Sequence, residues 1–324
     1  MRRPFPALTV LFLLAAALAS CGGGGGGTSS TSSPYTGVTT AAVITPTNAD
    51  DIVRSSYLGV DASTAFVGPL SATTSETQDV STASPPKVLS IVQVLKEISG
   101  KACDQRFTSE RVAPKAVVSE SGTLTDGYGG SVSYALSVDD QTGAFTGSFS
   151  ASNYHGDGGG TLSGAMTVSG TYDIAAGAFN SIDFKLNSVT VTDASSSVTV
   201  SGSVNLLNGN PATGTVTLYL TDNVTDKTNW IEDFTITVTE GPGYADTTLS
   251  GKIYLHDYGY VVISTSTPFQ FPAGSTYPSS GTMIVTGASN GRAKLTVSGS
   301  TGYTVDVDAN GDGIYETSNL HTWQ

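Results

Sequence analysis

Ile182-Asp183-Phe184-Lys185-Leu186 is a stretch of the chain in which apolar and charged side chains strictly alternate. A period of two is typical of a β-strand with one buried face, because successive side chains of a strand point to opposite sides of the sheet. The same alternation runs from Val198 to Leu206 and from Trp230 to Val238, and it begins at about Ala116. The sequence therefore predicts half-buried strands over residues 116–324.

Short turns separate these predicted strands. Residues that favour tight turns occur at 140–143, 175–177, 208–211, 240–243, 289–291 and 300–302. Links this short leave no room for crossover helices, so we expect a mainly β fold with about 10–14 antiparallel strands in a large meander. Strand twist accumulates across a wide sheet and open edges favour aggregation, so we also expect the meander to close as a barrel or a sandwich.

One irregularity is expected within the alternation. Asn187 and Ser188 add an extra step between Leu186 and Val189. An extra residue on one strand of an antiparallel pair forms a β-bulge. The sequence therefore predicts a bulge at this position.

The charge balance excludes several classes of protein. The chain has 27 Asp and Glu against 14 Lys and Arg, a formal net charge of −13, and only 13% charged residues. Nucleic-acid binding needs a Lys/Arg-rich surface to neutralise phosphates, and this chain offers none. Coiled coils and helix bundles are built from Ala, Glu, Lys, Leu and Arg, so the composition disfavours them as well.

The N-terminus has the three regions of a secretory signal: Met1-Arg2-Arg3, an apolar run over 7–17, and Leu18-Ala19-Ser20-Cys21. The last four residues resemble the lipobox of bacterial lipoproteins. That resemblance implies a signal peptide over 1–20 and a Cys21 that is diacylglycerated and then N-acylated. Two or three acyl chains anchor a protein stably in a membrane. Gly22 after Cys21 implies, in the Gram-negative pattern, sorting to the outer membrane, at its periplasmic face or the cell surface.

Three segments are expected after the signal peptide. Residues 21–33 combine the lipidated Cys21 with a Gly/Ser-rich tether that has no apolar side chain to bury. Residues 34–115 form an N-terminal segment with one or two short helices. We expect the first from Asn48, as its cap, through Tyr57, and the second from Pro86 to Ser99. Residues 116–324 form the antiparallel β domain.

Candidate calcium ligands lie close together near the C-terminus: Asp308, Asn310, Asp312, the Ile314 carbonyl and Glu316, with Asp306 as a further candidate. The pattern resembles the D-x-[DN]-x-D-G calcium loops of dockerin-like and integrin-repeat-like proteins. It departs from an EF-hand because Asn319 stands where the bidentate Glu would be and the flanking segments are predicted strands. These departures lower the expected Ca²⁺ affinity towards about 10⁻⁴–10⁻³ M. A hairpin turn without metal is the alternative.

Catalytic motifs are weak. Gly287-Ala288-Ser289-Asn290-Gly291 matches the G-x-S-x-G nucleophile elbow, but that motif needs a helix after it. A strand is predicted over Arg292 to Ser298, so we expect a hairpin turn in which Asn290 and Gly291 supply positive φ. The three histidines show no spacing typical of a zinc site or a Cys-His nucleophile. We therefore expect no enzyme, although paired carboxylates of a hydrolase are defined by spatial separation and stay an alternative.

The region from Thr267-Pro268-Phe269-Gln270-Phe271-Pro272 to Gly287 is similar to the tail of β-rich lipoproteins of Gram-negative bacteria, a resemblance that implies no activity. Taken together, the sequence predicts an outer-membrane-anchored structural or interaction module of the cell envelope. Its expected partners are the membrane, through Cys21, and an envelope protein or a glycan. A carrier of an apolar or glycan ligand is the alternative function.

Overall fold

The computed structural model describes residues 35–57, 117–139, 142–155, 160–173, 178–192, 197–273, 275 and 277–323. The predicted signal peptide, Cys21, the tether and the helix from Pro86 to Ser99 lie outside the described residues. In the part of the chain that is described, no helix has the length and hydropathy needed to span a membrane.

Fourteen β-strands make up most of the described chain, and each pairs with the next in sequence order. The mainly β fold and the antiparallel meander are therefore confirmed. The strands are β1 (Val117–Thr125), β2 (Ser131–Asp139), β3 (Ala144–His155), β4 (Thr161–Asp173), β5 (Ala178–Thr192), β6 (Ser197–Leu207), β7 (Ala212–Asp222), β8 (Lys227–Gly241), β9 (Tyr244–Leu255), β10 (Gly259–Pro272), β11 (Ser280–Thr286), β12 (Arg292–Val297), β13 (Gly302–Asp308) and β14 (Thr317–Thr322).

The described residues group into two compact units. The first unit contains β1–β6 and residues 220–226. The second unit contains residues 35–57, residues 209–219 and β8–β14. Each unit has its own set of buried apolar side chains, contributed by alternate residues of its strands.

In the first unit, β5 follows the predicted alternation. Ile182 and Leu186 are buried, whereas Lys185 between them is exposed. The predicted bulge is also confirmed, because the β5–β6 pairing shifts between Leu186 and Val189. Ser188 takes up the extra step with a φ of 52°.

In the second unit, a row of apolar residues crosses the sheet from strand to strand. Ile231, Ile253 and Val261 are cross-strand neighbours on β8, β9 and β10, and all three are buried. Helix α1, described over residues 49–57, also contributes to this core, because Ile52 and Val53 are fully buried.

Helix α1 begins where the sequence predicts, but Asn48 does not cap it in the usual way. The usual N-cap accepts a hydrogen bond from an amide of the first helical turn. Asn48 Oδ1 instead accepts one from the amide of Thr45 at 2.8 Å, and its Nδ2 donates to the Val43 carbonyl at 2.9 Å. Asn48 therefore fixes the turn that leads into the helix.

Residues 35–44, which we call the strap, cross one end of the second unit. The Val38 amide donates to the His256 carbonyl at 3.0 Å, and the Ala42 amide donates to the Tyr260 carbonyl at 2.8 Å. The Ala288 amide in turn donates to the Ala42 carbonyl at 2.7 Å. The strap thus joins the β9–β10 and β11–β12 turns. The β13–β14 loop lies at the same end, because consecutive strands of a meander reverse direction, and we call this end the strap end.

Candidate functional site

The loop between β13 and β14 contains most of the predicted calcium ligands, and Asp308 organises it. Asp308 is fully buried at the end of β13. Its Oδ1 accepts a hydrogen bond from the Gly311 amide at 2.7 Å, and its Oδ2 accepts one from the Gly313 amide at 2.9 Å. Both glycines have φ in the left-handed region, 76° and 90°, which glycine adopts without steric cost. The buried carboxylate therefore closes the loop around itself.

Further side chains fold back on the same loop. Asn310 Oδ1 accepts from the Asp312 amide at 2.8 Å, and Asp312 Oδ1 accepts from the Ile314 amide at 2.8 Å. Glu316 Oε2 accepts from the Ala309 amide at 3.1 Å. These contacts hold the three side chains against the backbone of the loop.

Three carboxylates converge there. An oxygen from each of Asp308, Asp312 and Glu316 lies within 4.8 Å of the others, and the last two side chains are exposed. Such an all-oxygen set has the donor chemistry that hard cations such as Ca²⁺ prefer. Each carboxylate oxygen has two lone pairs, so the amide hydrogen bonds leave capacity for a cation. The residues present therefore fit a calcium ion.

Asp306 lies apart from this cluster. Its carboxylate forms an ion pair with Lys294 at 2.9 Å and accepts a hydrogen bond from the Ser318 hydroxyl at 2.6 Å. Burial acts to raise the pKa of Asp306. The hydrogen bonds from Ser318 and Lys294, together with the Lys294 charge, outweigh burial and hold that pKa below its ordinary value. The structure thus brings together Asp308, Asp312 and Glu316 and gives Asp306 different partners.

A second polar arrangement, which the sequence did not suggest, joins the β1–β2 turn to the end of β3. Asp126 Oδ1 accepts hydrogen bonds from the amides of Tyr128 and Gly130, at 2.7 and 2.9 Å. Asp126 Oδ2 lies 2.7 Å from both the amide nitrogen and Nδ1 of His155. Only 2% of the Asp126 side chain is exposed, against 39% for His155.

The electrostatics of this pair fix the orientation of the imidazole. Burial acts to raise the pKa of Asp126, but four hydrogen bonds outweigh it and hold that pKa far below its ordinary value. An ionised carboxylate only accepts hydrogen bonds, so Nδ1 of His155 carries a proton and Nε2 presents a lone pair when the ring is neutral. Among the described residues, no hydroxyl or thiol is hydrogen-bonded to Nε2. The pair therefore lacks the nucleophile of a Ser-His-Asp site in this part of the chain.

The G-x-S-x-G match is a hairpin turn, as predicted, because strand β12 follows it directly. The residues with positive φ differ from the expected ones. Ser289 and Asn290 have φ of 53° and 62°, whereas Gly291 has φ of −56°. The Gly291 amide donates to the Ala288 carbonyl at 2.9 Å, which makes Ser289 and Asn290 the central pair of the turn. A pair of central residues with positive φ matches the right-handed twist of a hairpin.

Aromatic side chains form a row across β7–β10, on the face opposite the one that carries Ile231 and Ile253. Trp230 and Tyr254 stack at 4.3 Å with an interplanar angle of 14°, and Tyr219 stacks on Trp230 at 5.5 Å. Tyr35 of the strap packs against Trp230 and Tyr254, at centroid distances of 6.0 and 5.5 Å. Burial, with smaller contributions from Tyr254 and Asp257, raises the pKa of Tyr35 to about 12. The row holds the strap, and its rings face each other rather than solvent.

The first unit has a shallow cavity of about 380 Å³ on its polar face. It lies over β2–β5, where cross-strand neighbours are small, as in the row Ser133, Ser150 and Ala165. Lys185 and Asn187 of β5 border it. The cavity forms because Ser133, Ser150 and Ala165 have short side chains and lie next to the longer side chains of Lys185 and Asn187.

Comparison with known proteins gives no match: no family model, curated protein or solved structure is similar to this chain. The functional interpretation therefore depends on the residues and their geometry.

Proposed function

We propose that this chain is an outer-membrane-anchored lipoprotein that acts as a structural or interaction module of the cell envelope, with its last hairpin stabilised by calcium. The lipobox-like Leu18-Ala19-Ser20-Cys21 supports the anchor. The structural observation that carries the calcium part is the convergence of carboxylate oxygens from Asp308, Asp312 and Glu316 within 4.8 Å.

Calcium would act on the stability of the β13–β14 hairpin. Carboxylates crowded into one short loop repel one another, and a divalent cation relieves that repulsion. Asp308, Asp312 and Glu316 would hold the ion, with Asn310 and the Ile314 carbonyl as further candidate ligands. Because only the folded chain brings these groups together, calcium would stabilise the folded state.

No catalytic residue belongs to this proposal. His256 and Asp257 are adjacent in sequence and are a weak candidate for an acid–base pair. They have separate partners: the Thr228 amide lies 3.4 Å from His256 Nδ1, and Lys227 pairs with Asp257 at 2.6 Å. A hydrolase would need a nucleophile or a second carboxylate placed against His155 or another base. Hydrolysis therefore stays the weaker alternative.

A ligand carrier is the second candidate function, and the cavity over β2–β5 is the observation that favours it. Its volume of about 380 Å³ falls within the range of roughly 300–1,000 Å³ common for ligand pockets. The test is titration with fluorescent fatty acids and with neutral oligosaccharides of defined length. A Ser150→Trp variant, which fills the cavity, should abolish binding if the site is real. The same change at Thr146, on the same strand β3 but outside the cavity lining, should not.

We also propose that the meander closes, as a barrel or a sandwich, because a sheet of fourteen strands with two open edges would favour aggregation. Amide hydrogen exchange tests this directly. A barrel predicts that amides of β1 and β14 exchange as slowly as those of the interior strand β8, whereas a sandwich keeps β1 and β14 as edge strands that are protected only on their paired side. Fast exchange of every second amide along both strands would indicate two open edges.

The proposed lipid anchor at Cys21 is tested by a separate experiment. Mass spectrometry of protein purified from membranes should find acyl groups on Cys21, and Cys21→Ser should leave the precursor uncleaved and without lipid. Cys103→Ser changes the other of the chain's two cysteines; it is the matched control and should be processed normally. An unmodified Cys21 in the membrane-purified protein would refute the anchor.

A further inference from the structure

Three exposed apolar side chains of the second unit lie at its strap end, whereas Leu320, which is 74% exposed, lies along β14. Val43 in the strap is 65% exposed, and Ile314 in the β13–β14 loop is 68% exposed. Val38, also in the strap, is 41% exposed. Single exposed apolar residues are common on protein surfaces, so the exposure of these three residues does not by itself indicate a binding surface. A second observation is needed.

That observation is the place where the N-terminal chain joins the second unit. The Tyr35 hydroxyl lies 3.2 Å from the carbonyl of Leu255, the last residue of β9, and its ring packs on Trp230 and Tyr254. The chain therefore meets this unit at the strap end. Tyr35 is therefore the residue at which the N-terminal chain is attached to this unit.

The distance from this point to Cys21 is limited by chain length. Residues 22–34 separate Cys21 from Tyr35. A chain of that length spans at most about 50 Å when fully extended, and a Gly/Ser-rich sequence averages about 20 Å. A lipid on Cys21 would thus keep Tyr35 within about 50 Å of the bilayer.

We propose that the strap end docks on the lipid bilayer that holds Cys21, with Val43 and Ile314 entering the membrane interface. This inference rests on the proposed lipid anchor. The tether raises the effective concentration of the bilayer surface near the strap end. Apolar contacts that are too weak to bind the untethered protein to a membrane therefore become sufficient for docking. Lys227 pairs with Asp257 at this end, and Asp308, Asp312 and Glu316 together exceed the charge of one calcium ion, so the end has no excess positive charge to attract anionic headgroups. The lipid partner is therefore a zwitterionic phospholipid surface.

The experiment uses a fluorescent probe at single cysteines in the full-length lipidated protein. Val43→Cys and Ile314→Cys are made in a Cys103→Ser background, and the thiol of a lipidated Cys21 is blocked as a thioether. Ser300→Cys is the matched control, because Ser300 is exposed in the β12–β13 turn at the opposite end of the same unit. All three positions are exposed, so the substitutions leave the core unchanged.

Labelled proteins are incorporated into phosphatidylcholine vesicles with brominated acyl chains, which quench only probes that reach the membrane. Docking predicts that probes at 43 and 314 are quenched at least threefold more than the probe at 300. Equal quenching at the three positions, with lipid found on Cys21 by mass spectrometry and protein floating with the vesicles, would overturn the docking alone. A Cys21 without lipid would overturn the proposed anchor, and the docking with it.

Discussion

The carboxylate of Asp308 and the amide of Gly311 form a hydrogen bond of 2.7 Å that closes the β13–β14 loop from within. The buried Asp308 therefore has a structural role that does not depend on an ion. Asp312 and Glu316 are exposed, although an oxygen of each lies within 4.8 Å of an Asp308 oxygen. The two kinds of carboxylate should respond differently to substitution.

Asp308→Ala should destabilise the protein even without calcium. The change removes the acceptor for the Gly311 and Gly313 amides, and an unsatisfied buried polar group costs about 1–3 kcal/mol. Asp312→Ala is the matched control and should alter the calcium-free stability by less than about 0.5 kcal/mol, as is usual for exposed positions. Urea unfolding in a chelator measures both. Equal effects of the two substitutions would contradict the structural role of Asp308.

Asp126→Asn should lower the melting temperature at neutral pH. The pKa of Asp126 in the folded protein lies below its ordinary value, so the carboxylate contributes stability at pH values above about 3.9, the pKa in the unfolded chain. That contribution is lost as pH falls through the folded pKa. The difference between wild type and variant should therefore shrink as the pH is lowered below about 4.

Asp226→Asn is the control for this pH series, because Asp226 is exposed in the β7–β8 turn and makes no hydrogen bond through its side chain within the described chain. Its substitution should change the melting temperature little at any pH. A difference for Asp126→Asn that stays constant from pH 7 to pH 2 would show that the carboxylate charge is not responsible.

Ile52→Ala should destabilise the second unit by about 2–5 kcal/mol, because the side chain is fully buried where helix α1 joins the core. Val43→Ala, in the neighbouring strap, removes a side chain that is 65% exposed and should cost less than about 0.5 kcal/mol. Chemical denaturation followed by Trp fluorescence compares them. A small effect of Ile52→Ala would mean that α1 detaches from the sheet in solution.

Local patterns predicted the strands, the bulge at Ser188 and the start of helix α1, because each depends on neighbouring residues. The partners of Asp306 and Asp126 depend instead on strand register. Asp306 faces Lys294 only because the two are cross-strand neighbours on β12 and β13. Asp126 meets His155 only through the pairing of three successive strands. No spacing in the sequence encodes either contact.

The positions of positive φ in the β11–β12 turn also could not be predicted from the local sequence. Asn290-Gly291 is a common pair for such a turn, and the sequence favoured it. The pairing of β11 with β12 places Thr286 opposite Arg292 and so leaves residues 287–291 between the strands. Within them the Gly291 amide donates to the Ala288 carbonyl, which makes Ser289 and Asn290 the central residues instead. A shift of one residue in the turn is thus set by the register of the flanking strands.

The most direct test of calcium stabilisation is thermal unfolding of the full chain with calcium and with magnesium, for the wild type and for Asp312→Ala. At a free calcium concentration of 100 times the Kd, binding to the folded state alone adds about 2.7 kcal/mol, so the wild-type melting temperature should rise. Asp312→Ala should abolish this rise, whereas Asp226→Ala, which removes an exposed carboxylate outside the loop, should retain it. A wild-type transition that moves no further with millimolar calcium than with magnesium would contradict calcium binding at Asp308, Asp312 and Glu316.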